Sequence, residues 1–448
     1  MTNTTSFLYS KKALFWLILP MVGEQALALF IGLADTIMVS SISEHAVSAV
    51  SLVDSINVLF IQLFAAMATG GAVVIAQYLG RRKLTEACST AKQLLYVTLY
   101  ISLFFAVLSI IFCKPVIKML FGDIEVEITN YCHTYFYLSA FSYPALALYN
   151  GGAAILRSMG NSKTSMYVAL VMNVLNVAGN ALFIYVFNME VAGAGLATLI
   201  SRILGAVAML WIVCKKTAPV RVFRIFKPET DFSIIRKVLK QGVPNGIESS
   251  LFQVGRLLVA GIVATFSTAI IAANAVGFQL AGISSLVGNA VSMAVITVVG
   301  QCAGAKEVTQ AKYYTKLLMG VCVVSTIILN AIIYFALPAL ADMYHLSPEG
   351  NKVLMEIMHL YLIATIFFWT TSFALPNALR AAGDSKYTML VSIVSIWIFR
   401  IGFSYFGVYV LGWGLVATWY AMFFDWICRT IFFVVRFYRG KWLKHKVI

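Results

Sequence analysis

Pro20-Met-Val-Gly-Glu24 returns 224 residues later as Pro244-Asn-Gly-Ile-Glu248, and the same offset carries Gln77-Tyr-Leu-Gly80 onto Gln301-Cys-Ala-Gly304. Farther along, Arg157-Ser-Met-Gly160 matches Arg380-Ala-Ala-Gly383 at an offset of 223. The chain is therefore two copies of one unit. Each copy holds about six apolar runs of roughly 20 residues or more, the length that crosses a bilayer as a helix. An even number of spans per copy starts both copies on the same side, so the repeats are parallel and related by an axis along the membrane normal. The pattern predicts an all-α integral membrane protein with about twelve transmembrane helices in two six-helix bundles around a central cavity. The expected boundaries are 1–215 for the first bundle, 216–240 for a cytoplasmic linker and 241–448 for the second bundle.

Composition agrees. Of the 448 residues, 61% are hydrophobic and 11% charged, far from the ~25% charged typical of soluble domains. The net charge of +15 is not spread like a nucleic-acid surface. Arg81-Arg82-Lys83, Lys215 through Lys240, Lys306 and Lys312, and Arg436 through Lys446 fall in alternate connections or the tail. The opposite connections are acidic, as in Asp123-Ile-Glu125-Val-Glu127. The positive-inside rule then places both termini and the linker in the cytoplasm, for a multi-pass protein of the inner (plasma) membrane. Lys11-Lys12 and the run after them read as a retained first helix, since the run is too long for a signal peptide and contains Glu24. Asp231 is an expected cap for a short amphipathic helix through Lys240, with the next span led by Pro244.

Seven scattered cysteines and five unclustered histidines offer no metal site, and no phosphate loop or hydrolytic set is present, so no catalytic residue or cofactor is expected. The informative residues are polar ones inside apolar runs, where a charge costs roughly 2.5–3.5 kcal/mol on insertion scales. Glu248 leads these, with Arg256 two turns beyond it and too far for an ion pair. Glu24 and Asp35 stand eleven residues apart, on one face of the first helix. Asp54 and Asn57 share a face of the second, where Asp54 suits either a helix-start role or a site. Asn173, Asn176 and Asn180 form a stripe that serves either helix-to-helix hydrogen bonding or a cavity wall. Asn274 and Arg400 are further polar positions in the second copy. Asp425 and Arg429, at i and i+4, are spaced for a local ion pair. Phe252 and Trp369 offer flat faces for packing or for cation–π contacts with a ligand.

Taken together, Pro20 with Asp35-Thr-Ile-Met-Val, Gln77-Tyr-Leu-Gly80, Arg157-Ser-Met-Gly160, Asn176-Val-Ala-Gly-Asn180, Gly193-Ala-Gly195-Leu-Ala-Thr198, Pro244-x-x-x-Glu248 and Arg380-Ala-Ala-Gly383-Asp resemble the multidrug and toxic compound extrusion (MATE) transporters over nearly the whole chain. The resemblance implies a V-shaped cavity and export of organic cations or other drugs in exchange for H⁺ or Na⁺, by a protein functional as a monomer in the lipid bilayer. It implies that Asp35 and Glu248 are cation or proton sites, with Glu24 in the repeat position of Glu248. The second asparagine of the fifth-span pair is often an acid in the family and is Asn180 here. A helix-ten acid found in some members is replaced near Trp369-Thr370-Thr371. A flippase for lipid-linked sugars is the alternative within the superfamily, favoured by Arg256 and Arg400. An intramembrane enzyme is the alternative of another class and would turn over without an ion gradient.

Overall fold

In hydrocarbon, a helix satisfies every backbone N–H and C=O within one segment, and the computed structural model is built of helices throughout. It describes residues 8–122, 125–215, 218–223, 229–445 and 447–448; Asp123, Lys446 and parts of the expected linker lie outside the described residues. The helices of the first copy are α1 (Lys11–Ser40), α2 (Glu44–Gly80), α3 (Leu84–Ile111), the short α4 (Cys113–Phe121), α5 (Val126–Ser158), α6 (Ser162–Asn180) and α7 (Glu190–Cys214). The second copy has α8 (Phe232–Val263), α9 (Thr268–Gly304), α10 (Val308–Met343), α11 (Pro348–Ala364), α12 (Leu375–Ala381), α13 (Ser385–Ser395), α14 (Phe403–Tyr409) and α15 (Val416–Tyr438). Three π-helical stretches keep rods continuous: Ala181–Val186 extends α6, Thr365–Ala374 joins α11 to α12, and Ile396–Gly402 joins α13 to α14. Eleven rods among the described residues are long and apolar enough to cross a membrane, and α5 makes a twelfth by length.

The chain divides into two compact units, Lys11–Ser249 and Ser250–Val447, and the described residues 8–10 belong with the second. There the Leu8 N–H donates to Gln310 Oε1 at 3.0 Å, and Tyr9 exchanges hydrogen bonds with the Tyr314 hydroxyl. The division falls inside α8, because α8 is one helix. Asp231 Oδ1 accepts from the N–H groups of Ser233 and Ile234 and caps its start. The helix then runs through Lys240 and Pro244 without a break. The separate short helix and the proline-led start expected from the sequence are thus corrected: Pro244 lies within a continuous rod, as Pro20 does in α1. A proline costs a membrane helix one hydrogen bond, which packing against neighbours offsets.

Within the first unit, α2 meets the start of α8 backbone to backbone. A Cβ on Gly70 would lie 2.4 Å from Cα and N of Gly242. Close approach of small residues is how membrane helices associate without a hydrophobic drive between them. Gly70→Ala has no flexible side chain to displace, so it should lower stability by about 1–3 kcal/mol, read as a reduced thermal midpoint of the detergent-purified protein. Phe64 and Tyr143 fill the layer between α2, α3 and α5. In the second unit the Trp369 ring lies over Gly288 and stacks on Phe373 at 5.4 Å.

Candidate functional site

In the first unit the polar stripe of α6 turns inward onto α1. Asn180, 1% exposed, donates Nδ2 to Asp35 Oδ1 at 2.6 Å. Asn176, also buried, donates to Thr198 Oγ1 on α7 at 3.2 Å, and Asn180 Nδ2 lies 3.4 Å from Asn176 Oδ1. Asn173, three residues earlier, points elsewhere. Among the described residues it is the one polar side chain lining an apolar cleft of about 440 Å³ between α1 and α6, lined also by Leu27, Phe30 and Val174.

A second acid comes to the same region from α2. Asp54 accepts from Asn57 Nδ2 at 3.1 Å, as the i, i+3 spacing requires, and from the Tyr135 hydroxyl. Asn57 also donates to Ser139 and accepts from Tyr143. Asp35 and Asp54 lie within electrostatic reach of one another and of Arg202 on α7, whose guanidinium donates to Ser142 Oγ at 2.7 Å. Arg202 is the member of the cluster that the sequence reading passes over. Its only signal was a lone base inside an apolar span.

Glu24 faces α6 as Asp35 does, in keeping with their spacing, but its surroundings are different. Oε1 takes the Arg157 guanidinium at 2.8 Å and Oε2 accepts from Ser165 at 3.1 Å. This is a closed pair with a built-in counter-charge. Glu248 is buried in α8 at 8% exposure, one turn beyond Pro244.

The second unit gathers its charges differently. Asp425, fully buried, accepts from Arg429 Nε at 2.8 Å and from Ser395 at 2.6 Å, which is the expected i, i+4 pair. Its other oxygen lies 3.9 Å from Arg400, so Asp425 is the partner that the sequence left unnamed. Phe252 sits under both arginines, 5.2 Å from Arg400 and 5.9 Å from Arg429. Arg400 also reaches a cavity of about 150 Å³, together with Arg256, Asn274, Phe278 and Trp419. Asn274 accepts from the indole N–H of Trp419, and Phe278 stacks on that ring at 5.1 Å. Of the expected cavity residues, the structure brings Arg256, Asn274 and Arg400 to this cavity and sets Phe252 beside it. Trp369 is placed in the core against Gly288, where its ring fills the space a side chain would need. Among the described residues no His, Cys, Asp and Glu group is arranged to hold a metal.

Comparison with known proteins gives one picture. The MatE family model matches residues 20–182 and 244–406, two segments at the 224-residue offset of the internal repeat. An uncharacterized transporter of Bacillus subtilis, YisQ, is 28% identical, covering 96% of this chain and 95% of its own. A probable multidrug resistance protein, NorM, of Thermotoga maritima is 26% identical, covering 98% and 94%. Among solved structures, an outward-facing multidrug resistance MATE family transporter of the MOP superfamily superposes with a TM-score of 0.89. That match has 19% identity and covers 97% of both chains.

Proposed function

This chain belongs to the MatE family of multidrug-efflux transporters, and from that premise we propose that it exports amphipathic organic compounds, organic cations among them, in exchange for H⁺ or Na⁺. The observation that carries the reading is the part-buried Asn180–Asp35 contact with Asp54 and Arg202 in reach. Two carboxylates and one guanidinium leave the cluster one negative charge in excess. A cation that binds there in one facing state and leaves in the other exchanges this charge across the membrane. Asn180 fixes one oxygen of Asp35 and leaves the other for a proton or Na⁺. Glu248 is proposed as a second coupling acid. Glu24, already neutralised by Arg157, is better suited to holding α1 against α5 and α6.

Arg202 competes with the coupling ion for the same carboxylates. Arg202→Gln should therefore tighten coupling-ion binding by about tenfold, equivalent to ~1.4 kcal/mol, seen as a lower half-saturating ion concentration in exchange assays. The function itself is tested by uptake of a fluorescent organic cation into inside-out vesicles, with H⁺ and Na⁺ gradients imposed separately, for the native chain and for Glu248→Gln. Uphill uptake under one gradient identifies the ion, and its loss in the variant assigns Glu248 to coupling. No accumulation under either gradient rejects cation-coupled export of such substrates.

A further inference from the structure

The two copies differ in charge at matching places. The gapless 224-residue offset that joins Pro20 to Pro244 and Gly80 to Gly304 also assigns Asp35 to Val259 and Asp54 to Phe278, since 259 − 35 and 278 − 54 are both 224. Val259 and Phe278 both line the 150 Å³ cavity of the second unit. Where the first unit has two acids, this cavity has two apolar walls. The last helix of each copy differs as well: α7 supplies the base Arg202, and α15 supplies the buried pair Asp425–Arg429.

Arg256 and Arg400 line this cavity with no carboxylate among its described lining residues, and Asp425, 3.9 Å from Arg400, is already taken by Arg429 and Ser395. Arg400 is 6% exposed, and the 3.9 Å to Asp425 exceeds hydrogen-bonding distance. Glu248 lies eight residues down α8 from Arg256, about 12 Å along the helix axis. A guanidinium withdrawn from water without a full partner is costly and is stabilised by an anion brought to it. Its planar fork matches the two oxygens of a carboxylate or phosphate. Phe278 and Trp419 supply flat walls for an attached apolar body, and a cavity of about 150 Å³ equals roughly five water volumes at ~30 Å³ each, enough for an oxyanion and part of a ring.

We infer that the second unit holds an oxyanion site, in which Arg400 and Arg256 grip a carboxylate or phosphate and Phe278 and Trp419 receive the apolar group attached to it. The site goes beyond the exchange reading and stands in a different lobe from the acid cluster. Its occupant is either a free aromatic anion or the phosphate of a lipid. Radiolabelled salicylate, bound to the full-length protein in an uncharged detergent without any gradient, tests the site independently of transport.

Saturable binding is expected, weakened at least tenfold by Arg256→Gln. That side chain holds no carboxylate among the described residues, only a 3.5 Å contact with Gln253 and the Phe278 ring at 5.9 Å, so the variant should fold. Phe278→Asp, which installs the acid of the first copy, should abolish salicylate binding. Benzyltrimethylammonium, a cation with the same ring, should not compete in the native protein. In lipid nanodiscs, displacement of salicylate when phosphatidylglycerol is added supports a lipid phosphate as occupant, and undiminished binding supports a free organic anion. Absence of saturable binding in detergent, equal affinity in Arg256→Gln, or displacement by benzyltrimethylammonium overturns the inference.

Discussion

Asp35→Asn is expected to reduce gradient-driven accumulation to none while the protein still folds. One elementary charge returning across 100 mV releases about 2.3 kcal/mol, which sustains a concentration ratio of roughly 40-fold at 1.4 kcal/mol per tenfold. The substitution preserves the shape of the side chain and the oxygen that accepts from Asn180 at 2.6 Å, so the contact between α1 and α6 stays. What it removes is a group able to change its charge. In vesicles the ratio should fall from that ceiling toward one, with downhill movement of substrate retained. If Asp35→Asn accumulates substrate as the native chain does, the coupling charge is carried elsewhere, and Glu248 becomes the first candidate.

The largest effect on stability is expected at Asp425. It is fully buried and holds Arg429 and Ser395 directly, with Arg400 at 3.9 Å. Asp425→Leu leaves two buried guanidinium groups without their carboxylate, and breaking a buried pair in this way costs about 3–5 kcal/mol. A lower thermal midpoint and poor recovery from the membrane should follow. Adding Arg429→Met should restore part of the loss, since replacing both partners by apolar groups is often close to neutral. If Asp425→Leu melts like the native protein, the buried pair and the Ser395–Asp425 hydrogen bond that ties α15 to α13 contribute nothing to stability.

Hydropathy and the repeat made the fold legible, because a bilayer demands long apolar helices and a duplication writes the same plan twice. Particular residues escaped where local and tertiary rules differ. Pro244 reads as a helix start by rules learned in water, yet lies within α8, because a lost hydrogen bond there can be offset by packing. The asparagine stripe read as one face, but only Asn180 touches an acid, with Asn176 packed behind it on Thr198, while Asn173 looks into the cleft beside α1. Arg202 gave no spacing to recognise, and its place beside Asp35 and Asp54 depends on how three helices pack. Arg400 found its partner on α15, 25 positions later, a distance over which no periodicity speaks. Trp369 has the chemistry of a ligand platform and the position of a core residue, decided by the absence of a side chain at Gly288.

The π-helical stretches have a mechanical consequence. Each α-helical residue advances the chain by about 100° around the axis, so sliding a π turn by one residue turns the intervening segment like a key in a lock, with the rod unbroken. Arg400 lies inside such a stretch, and Asn180 immediately precedes another. Both polar centres therefore stand at points where a helix can rotate its cargo into or out of view by shifting register alone, at the cost of a few exchanged hydrogen bonds.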